Sequence, residues 1–139
     1  MNYLLDTCVL SEYTRRKPEE KVIEWIDSRQ DDELFISVIT FGEIQRGIDK
    51  LPESRRRTDL VTWMNEDLVT RFANHIVPID LETMLLWGNL IARMDATGTP
   101  MSLMDSLIAS SAIRHNLVVV TRNESDFAAS AVRLVNPWK

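Results

Sequence analysis

The chain has a single cysteine, Cys8, and two histidines, His75 and His115. Neither an intrachain disulfide nor a zinc-type Cys/His ligand set can be assembled from these, so any metal must be held by oxygen. Glycine and proline are scarce, at 4 and 5 in 139 residues, which excludes collagen-like and low-complexity chains. No apolar run approaches the roughly 18–20 residues needed to span a bilayer. The opening MNYLLDTCVL has no basic n-region, and Asp6 interrupts its short apolar stretch, unlike a signal peptide. These absences predict a cytoplasmic protein with no membrane segment. Cations are the minority charge, 16 Lys and Arg against 21 Asp and Glu, and the net charge of −5 argues against a surface that coats nucleic acid regardless of sequence. It leaves nucleic-acid chemistry open, because carboxylates that hold a divalent cation present positive charge to a phosphate.

What is present is 45% apolar and 27% charged, a globular composition that predicts one domain over residues 1–139. Tyr3-Leu4-Leu5 is a short apolar run without alternation, as in a strand buried on both faces. Residues 19–29 place Val22, Trp25 and Ile26 at helical spacing. Residues 34–39 are β-branched and aromatic and predict a second strand, with Thr40 opening a helix to about Lys50. A polar helix over residues 53–72 carries the stripe Leu60, Val61, Met64 and Leu68. Residues 76–79 predict strand three. Met84, Trp87, Ile91 and Met94 mark an amphipathic helix that ends near Gly98. A helix over residues 102–115, a buried strand over 117–120, a short helix over 124–129 and a last strand over 132–135 complete the order. Strands alternating with helices predict an α/β/α sandwich around a mainly parallel sheet of about five strands, with ligands at the carboxyl ends of the strands.

Four acids fall at such ends. Asp6 directly follows strand one, Glu43 lies on the first turn of the helix leaving strand two, Asp105 lies on the first turn of the helix after Pro100, and Asp126 follows the strand that ends at Thr121. Helix capping explains two of them singly: Thr40-x-x-Glu43 matches a capping box, and Ser102-x-x-Asp105 is a weaker version. It does not explain an acid directly after a buried strand. Carboxylates converging at one sheet edge repel one another unless a cation screens them, and Mg²⁺ or Mn²⁺ suits oxygen ligands, bound water and substrate phosphates. The implied chemistry is hydrolysis of a phosphodiester by a metal-activated water.

The ordered set LLDTCVLSE, ISVITFGEIQRGI, SLMDSLIASSAIRHNLVVVTRNESDF and VRLVNPW resembles the PIN-domain family over essentially the whole chain, and most of all its VapC and FitB toxins. The resemblance implies a PIN-like three-layer sandwich and a Mg²⁺-dependent endoribonuclease that is the toxin of a type II toxin–antitoxin pair. Asp6, Glu43 and Asp105 match the family's first three acids. The fourth position has two claimants: Asn123 stands where the family is often acidic, and Asp126 can supply the charge instead. Thr7 and Thr121, beside these acids, suit the fixing of carboxylate rotamers. The resemblance further implies a VapB-like antitoxin, an RNA substrate such as tRNA and a homodimer formed through apolar helix surface.

Cys8 replaces the Asn usual after Asp-Thr in the family, exchanging an amide for a small thiol that reads as buried and structural. The basic runs Arg15-Arg16-Lys17 and Arg55-Arg56-Arg57 read as solvated faces or partner contacts before RNA contacts. Trp25, Trp63 and Trp87 read as core or dimer residues before base-stacking platforms. A receiver-type phosphoacceptor is disfavoured by the lone Asp6 and by Arg122 where that family has Lys, and an Asp-x-Asp phosphatase fails at Cys8. The alternative kept is a PIN scaffold whose changes at Cys8 and Asn123 abolish turnover, leaving a protein- or RNA-binding module.

Overall fold

The structure, a computed structural model, describes residues 1–139. Five strands, β1 (Tyr3–Leu5), β2 (Leu34–Ser37), β3 (Ile76–Val77), β4 (Val118–Val120) and β5 (Leu134–Val135), form one parallel sheet in the order β3-β2-β1-β4-β5. Parallel neighbours require crossovers, and helices supply them. In chain order these are α1 (Thr7–Leu10), α2 (Glu20–Asp27), α3 (Val38–Asp49), α4 (Arg55–Thr62), α5 (Val69–Arg71), α6 (Leu81–Thr97), α7 (Leu103–His115) and α8 (Glu124–Phe127). The expected α/β/α sandwich is therefore the observed one.

The unalternating strand sequences follow from burial on both faces. Tyr3, Leu5, Leu34, Ile36, Val118 and Val120 point into one apolar cluster, which is completed by Val22 and Ile26 of α2. Leu4 and Val119 point into the other, with Leu90 and Met94 of α6 and Ile108, Ala109 and Ala112 of α7. Fully burying one such aliphatic side chain stabilises the fold by about 1.5–3 kcal/mol, so the sheet is anchored from both sides. Trp25 meets Tyr3 edge-on at 4.9 Å and Trp87 donates its indole N–H to Ser106 Oγ at 2.9 Å, consistent with tryptophans used for packing.

Four local expectations are corrected. Helix α3 begins at Val38, not Thr40: Ser37 is its N-cap and accepts the Ile39 N–H at 3.1 Å. Thr40 is therefore inside the first turn and Glu43 inside the second, and no Thr40–Glu43 capping box exists. The segment over 53–72 is not one regular helix, because a π-helical stretch, Trp63–Leu68, separates α4 from α5. Strand β3 stops at Val77, where Pro78 offers no N–H to extend the ladder. On α6 the buried side chains are Thr83, Leu90 and Met94, while Met84 is exposed. Gly98 ends α6 at φ 69°, a left-handed conformation that favours glycine.

Because Ser37 is the buried cap of α3, Ser37→Ala should lower the unfolding free energy by about 1 kcal/mol in urea denaturation. A neutral effect would contradict a helix start at Val38.

Candidate functional site

The site grows out of strand register. Leu5 is paired with Val120, so the residues that follow, Asp6 and Thr121, leave the sheet side by side. The Asp6 N–H bonds to Val120 O at 3.0 Å and the Thr121 N–H to Val135 O at 3.0 Å, extending the ladder by one step before the chains turn away. Strand order reverses direction between β1 and β4, which is where parallel α/β sheets open a crevice for ligands.

Asp6 is buried with 6% of its surface exposed, and its carboxylate accepts three hydrogen bonds while keeping acceptor capacity on Oδ1. The Thr7 N–H donates to Oδ1 at 2.9 Å and the Thr121 hydroxyl to Oδ2 at 2.8 Å; the Cys8 thiol also donates to Oδ2, at 3.7 Å. Burial pushes the Asp6 pKa above its ordinary 3.8, the bonds from Thr121 and Thr7 pull it back, and the charges of Asp105 and then Glu43 raise it further. The Cys8 thiol is also pushed up, first by burial and then by the Asp6 charge, so it stays protonated and unreactive. The structural reading of Cys8 fits this, and the thiol retains a donor toward Asp6.

Thr7 and Thr121 serve different acids. Thr7 Oγ1 lies 2.7 Å from Glu43 Oε1, which takes its single hydroxyl proton and ties α1 to α3. Thr121 donates to Asp6 and accepts the Asn123 N–H at 3.0 Å. The exposed Asn123 side chain makes no hydrogen bond, so the backbone of this residue supports the Thr121–Asp6 bond while its amide remains open to solvent.

Asp105 sits in the first turn of α7 as expected, with its N–H capped by Ser102 Oγ at 3.2 Å. Burial is the main cause raising its pKa, Ser102 opposes it, and the charge of the exposed Asp126 adds to it. The four acids are thus linked by their fields: Asp6 feels Asp105 and Glu43, and Asp105 feels Asp126. No three Asp, Glu, His or Cys side chains converge closely enough to enclose one ion by themselves. This donor set still fits Mg²⁺ or Mn²⁺, since Mg²⁺ is commonly held by one or two carboxylates and fills its other positions with water and substrate phosphate. His75 is not a ligand candidate: its ring stacks on Phe35 at 4.5 Å and Nδ1 meets Leu34 O at 2.9 Å.

The two basic runs, far apart in sequence, meet in space: Arg56 donates to Thr14 O at 3.4 Å, and Arg16, Arg55 and Arg56 line one hollow with Tyr13 and Trp63. Sequence reasoning also passed over Arg46 and Lys50, which share a groove with Thr7 and Glu43. Their spacing from Glu43, three and seven residues, was the available signal.

The profile of the PIN domain matches residues 3–132. The chain belongs to the PIN-domain family. Similar proteins include the VapC ribonuclease Y4jK of Sinorhizobium fredii, 31% identical over 98% of this chain and 97% of its own, and the toxin FitB of Neisseria gonorrhoeae, 31% identical over 97% of each. Among solved structures, FitAcB from Neisseria gonorrhoeae matches with a TM-score of 0.93 at 31% identity, over 98% of both chains. DNA-bound VapBC from Salmonella typhimurium matches with a TM-score of 0.82 at 25% identity, over 100% of this chain and 99% of that one. No helix of this PIN domain is long and apolar enough to cross a membrane.

The raised pKa of Asp6 makes a prediction for the PIN domain in chelator. A folded-state pKa above the unfolded value means that the native state holds the Asp6 proton more tightly, so the group favours folding most below 3.8 and loses that advantage as pH rises through its folded value. Asp6→Asn should therefore raise the melting temperature at neutral pH, with the gain shrinking toward zero as pH falls to 3.8. A gain independent of pH would contradict the assignment.

Proposed function

We propose that this PIN domain is a Mg²⁺-dependent endoribonuclease, the toxin of a type II toxin–antitoxin pair, acting on a structured RNA such as tRNA. The observation that carries the reading is the buried Asp6 carboxylate at the β1/β4 crevice, fixed by three donors and within the field of Asp105 and Glu43, with Asp126 acting in turn on Asp105. Capping accounts for Asp6 at the start of α1 and for Asp105 in the first turn of α7, but not for their acting on one another, since each acid raises the cost of ionising a neighbour. A divalent cation offsets that cost and, when bound, supplies Lewis-acid charge and a water of lowered pKa.

In this reading Asp6 and Asp105 are the principal metal ligands, and Glu43 and Asp126 flank them as further ligands or as partners of coordinated water. Thr7 holds Glu43, while Thr121 and the Cys8 thiol hold Asp6, so two acids meet the ion in set rotamers. Asn123 supports this frame through Thr121. The Cys8 contact argues against the inactive-scaffold alternative, because a donor to Asp6 survives the exchange of Asn for Cys.

The expected partner is a VapB-like antitoxin with a segment over the acid cluster, where an Arg against the carboxylates would neutralise them. Two relatives support that expectation, one solved as FitAcB and the other as VapBC bound to DNA. Leu81, Met84 and Leu85 on α6 and Leu103 on α7 are exposed, and such apolar surface supports the homodimer. A restrained cytoplasmic ribonuclease is consistent with all of these.

Asp6→Asn and Asp105→Asn should each reduce Mg²⁺-dependent RNA cleavage by orders of magnitude and abolish toxicity on expression. Mapping of the ends should give a few discrete fragments with 5′-phosphate and 3′-hydroxyl termini. Full activity in either variant contradicts the metal assignment, 2′,3′-cyclic phosphates contradict attack by water, and uniform degradation contradicts a single-site enzyme.

A further inference from the structure

A groove of about 610 Å³ runs from Thr7 and Glu43 past Arg46 to Lys50, with Met104 and Leu107 of α7 forming its apolar wall. One of the four acids, Glu43, lies in its lining, and Thr7, which follows Asp6, lies beside it. Glu43, Arg46, Gly47 and Lys50 stand at helical spacings of three, four and seven, on one face of α3 and its cap.

Two features of that face leave it open to a ligand. Arg46, three residues after Glu43, is placed for an intrahelical ion pair, yet Glu43 takes the Thr7 hydroxyl instead. Neither Arg46 nor Lys50 joins any of the six ion pairs in the molecule. The dipole of α3 favours cations near its C-terminus and both side chains are exposed, so folding tolerates them there; what bears on a ligand is that two free cations line one groove beside Glu43. The second feature is Gly42 and Gly47, both inside α3, where glycine weakens a helix. A Cβ at either position would have nothing within 4 Å, so packing within the chain does not demand glycine. Their effect is to leave backbone bare along the groove, which permits close approach by a ligand.

Resting on the ribonuclease reading above, we propose that this groove seats the RNA strand on one side of the scissile bond, with Arg46 and Lys50 binding consecutive backbone phosphates and the two glycines admitting the strand against α3. Arg46 and Lys50 are positioning residues that supply attraction where the net charge of −5 supplies none. The Met104 and Leu107 wall offers apolar surface to a base or ribose and no hydrogen-bond code, so contact here is with the backbone and not with sequence.

Steady-state cleavage of an in vitro transcribed tRNA in Mg²⁺ tests this with the full chain. Arg46→Gln combined with Lys50→Gln should raise KM about tenfold with kcat little changed, and reduce the slope of log KM against log salt by about 1.4, the value for two phosphate contacts on a single strand. Gly47→Ala should raise the melting temperature, as alanine does in a helix, and yet raise KM; a merely structural glycine would not weaken substrate binding while the fold gains stability. If the wild type cleaves and these variants keep its KM and salt slope, the groove proposal is overturned and the ribonuclease reading stands. If they instead shift the monomer–dimer equilibrium in sedimentation with KM unchanged, the groove belongs to a second copy of the chain and the proposal also falls. No cleavage by the wild type of any RNA in total cellular RNA, tRNAs included, overturns both.

Discussion

The molecule depends on a carboxylate held where carboxylates are least favoured, at the end of a buried strand and within the field of two others. Asp6 stays there because the β1/β4 register delivers Thr121 beside it and the turn into α1 delivers the Thr7 N–H and the Cys8 thiol. A hydrogen bond to a charged group stabilises by about 1.5–3 kcal/mol, and several converging on one carboxylate offset much of its desolvation. They do not cancel it, since its pKa remains raised. The residual instability is what a divalent cation would remove, and it links the stability of the apo fold to the chemistry of the site.

The helices around the sheet follow from the same arrangement. α1 and α3 are joined by the Thr7–Glu43 bond, and α7 brings Asp105 to the crevice with its first turn capped by Ser102. Glu43 and Asp105 are thus borne on helices anchored in the apolar layers, and Asp6 on the single residue that links β1 to α1, so the site is organised by the fold and not by a long loop. α3 carries Glu43 and the unpaired cations of the neighbouring groove on one face, which places attraction for a polyanion beside the charges that would repel it.

The sheet was legible in the sequence because strands buried on both faces have few alternatives: Tyr3-Leu4-Leu5 and Leu117-Val118-Val119-Val120 do not alternate, and both lie at the centre of the sheet. Asp6 could be read for a related reason, since it directly follows such a strand, although the structure also makes it the N-cap of α1, a role the strand pattern did not reveal. The start of α3 is ambiguous in the sequence because Ser37 and Thr40 are both competent caps, and only strand length decides between them; β2 ends at Ser37. The π-helical stretch Trp63–Leu68 was hidden because its side chains still present an apolar face, with Met64 and Leu68 buried. The partnership of Thr7 with Glu43 depends on how α1 crosses α3, which no local pattern encodes. The convergence of the two arginine runs is hidden in the same way, since their segments meet only in the folded chain.

The central claim is that these carboxylates are assembled to hold a divalent cation. Melting of the wild type and of Asp105→Asn, each in chelator and in increasing Mg²⁺ or Mn²⁺, tests it most directly, because a ligand that binds only the native state raises its stability by mass action. The account predicts a clear rise in melting temperature for the wild type and a much smaller one for Asp105→Asn. Equal rises in the two proteins, or none in either, would contradict it.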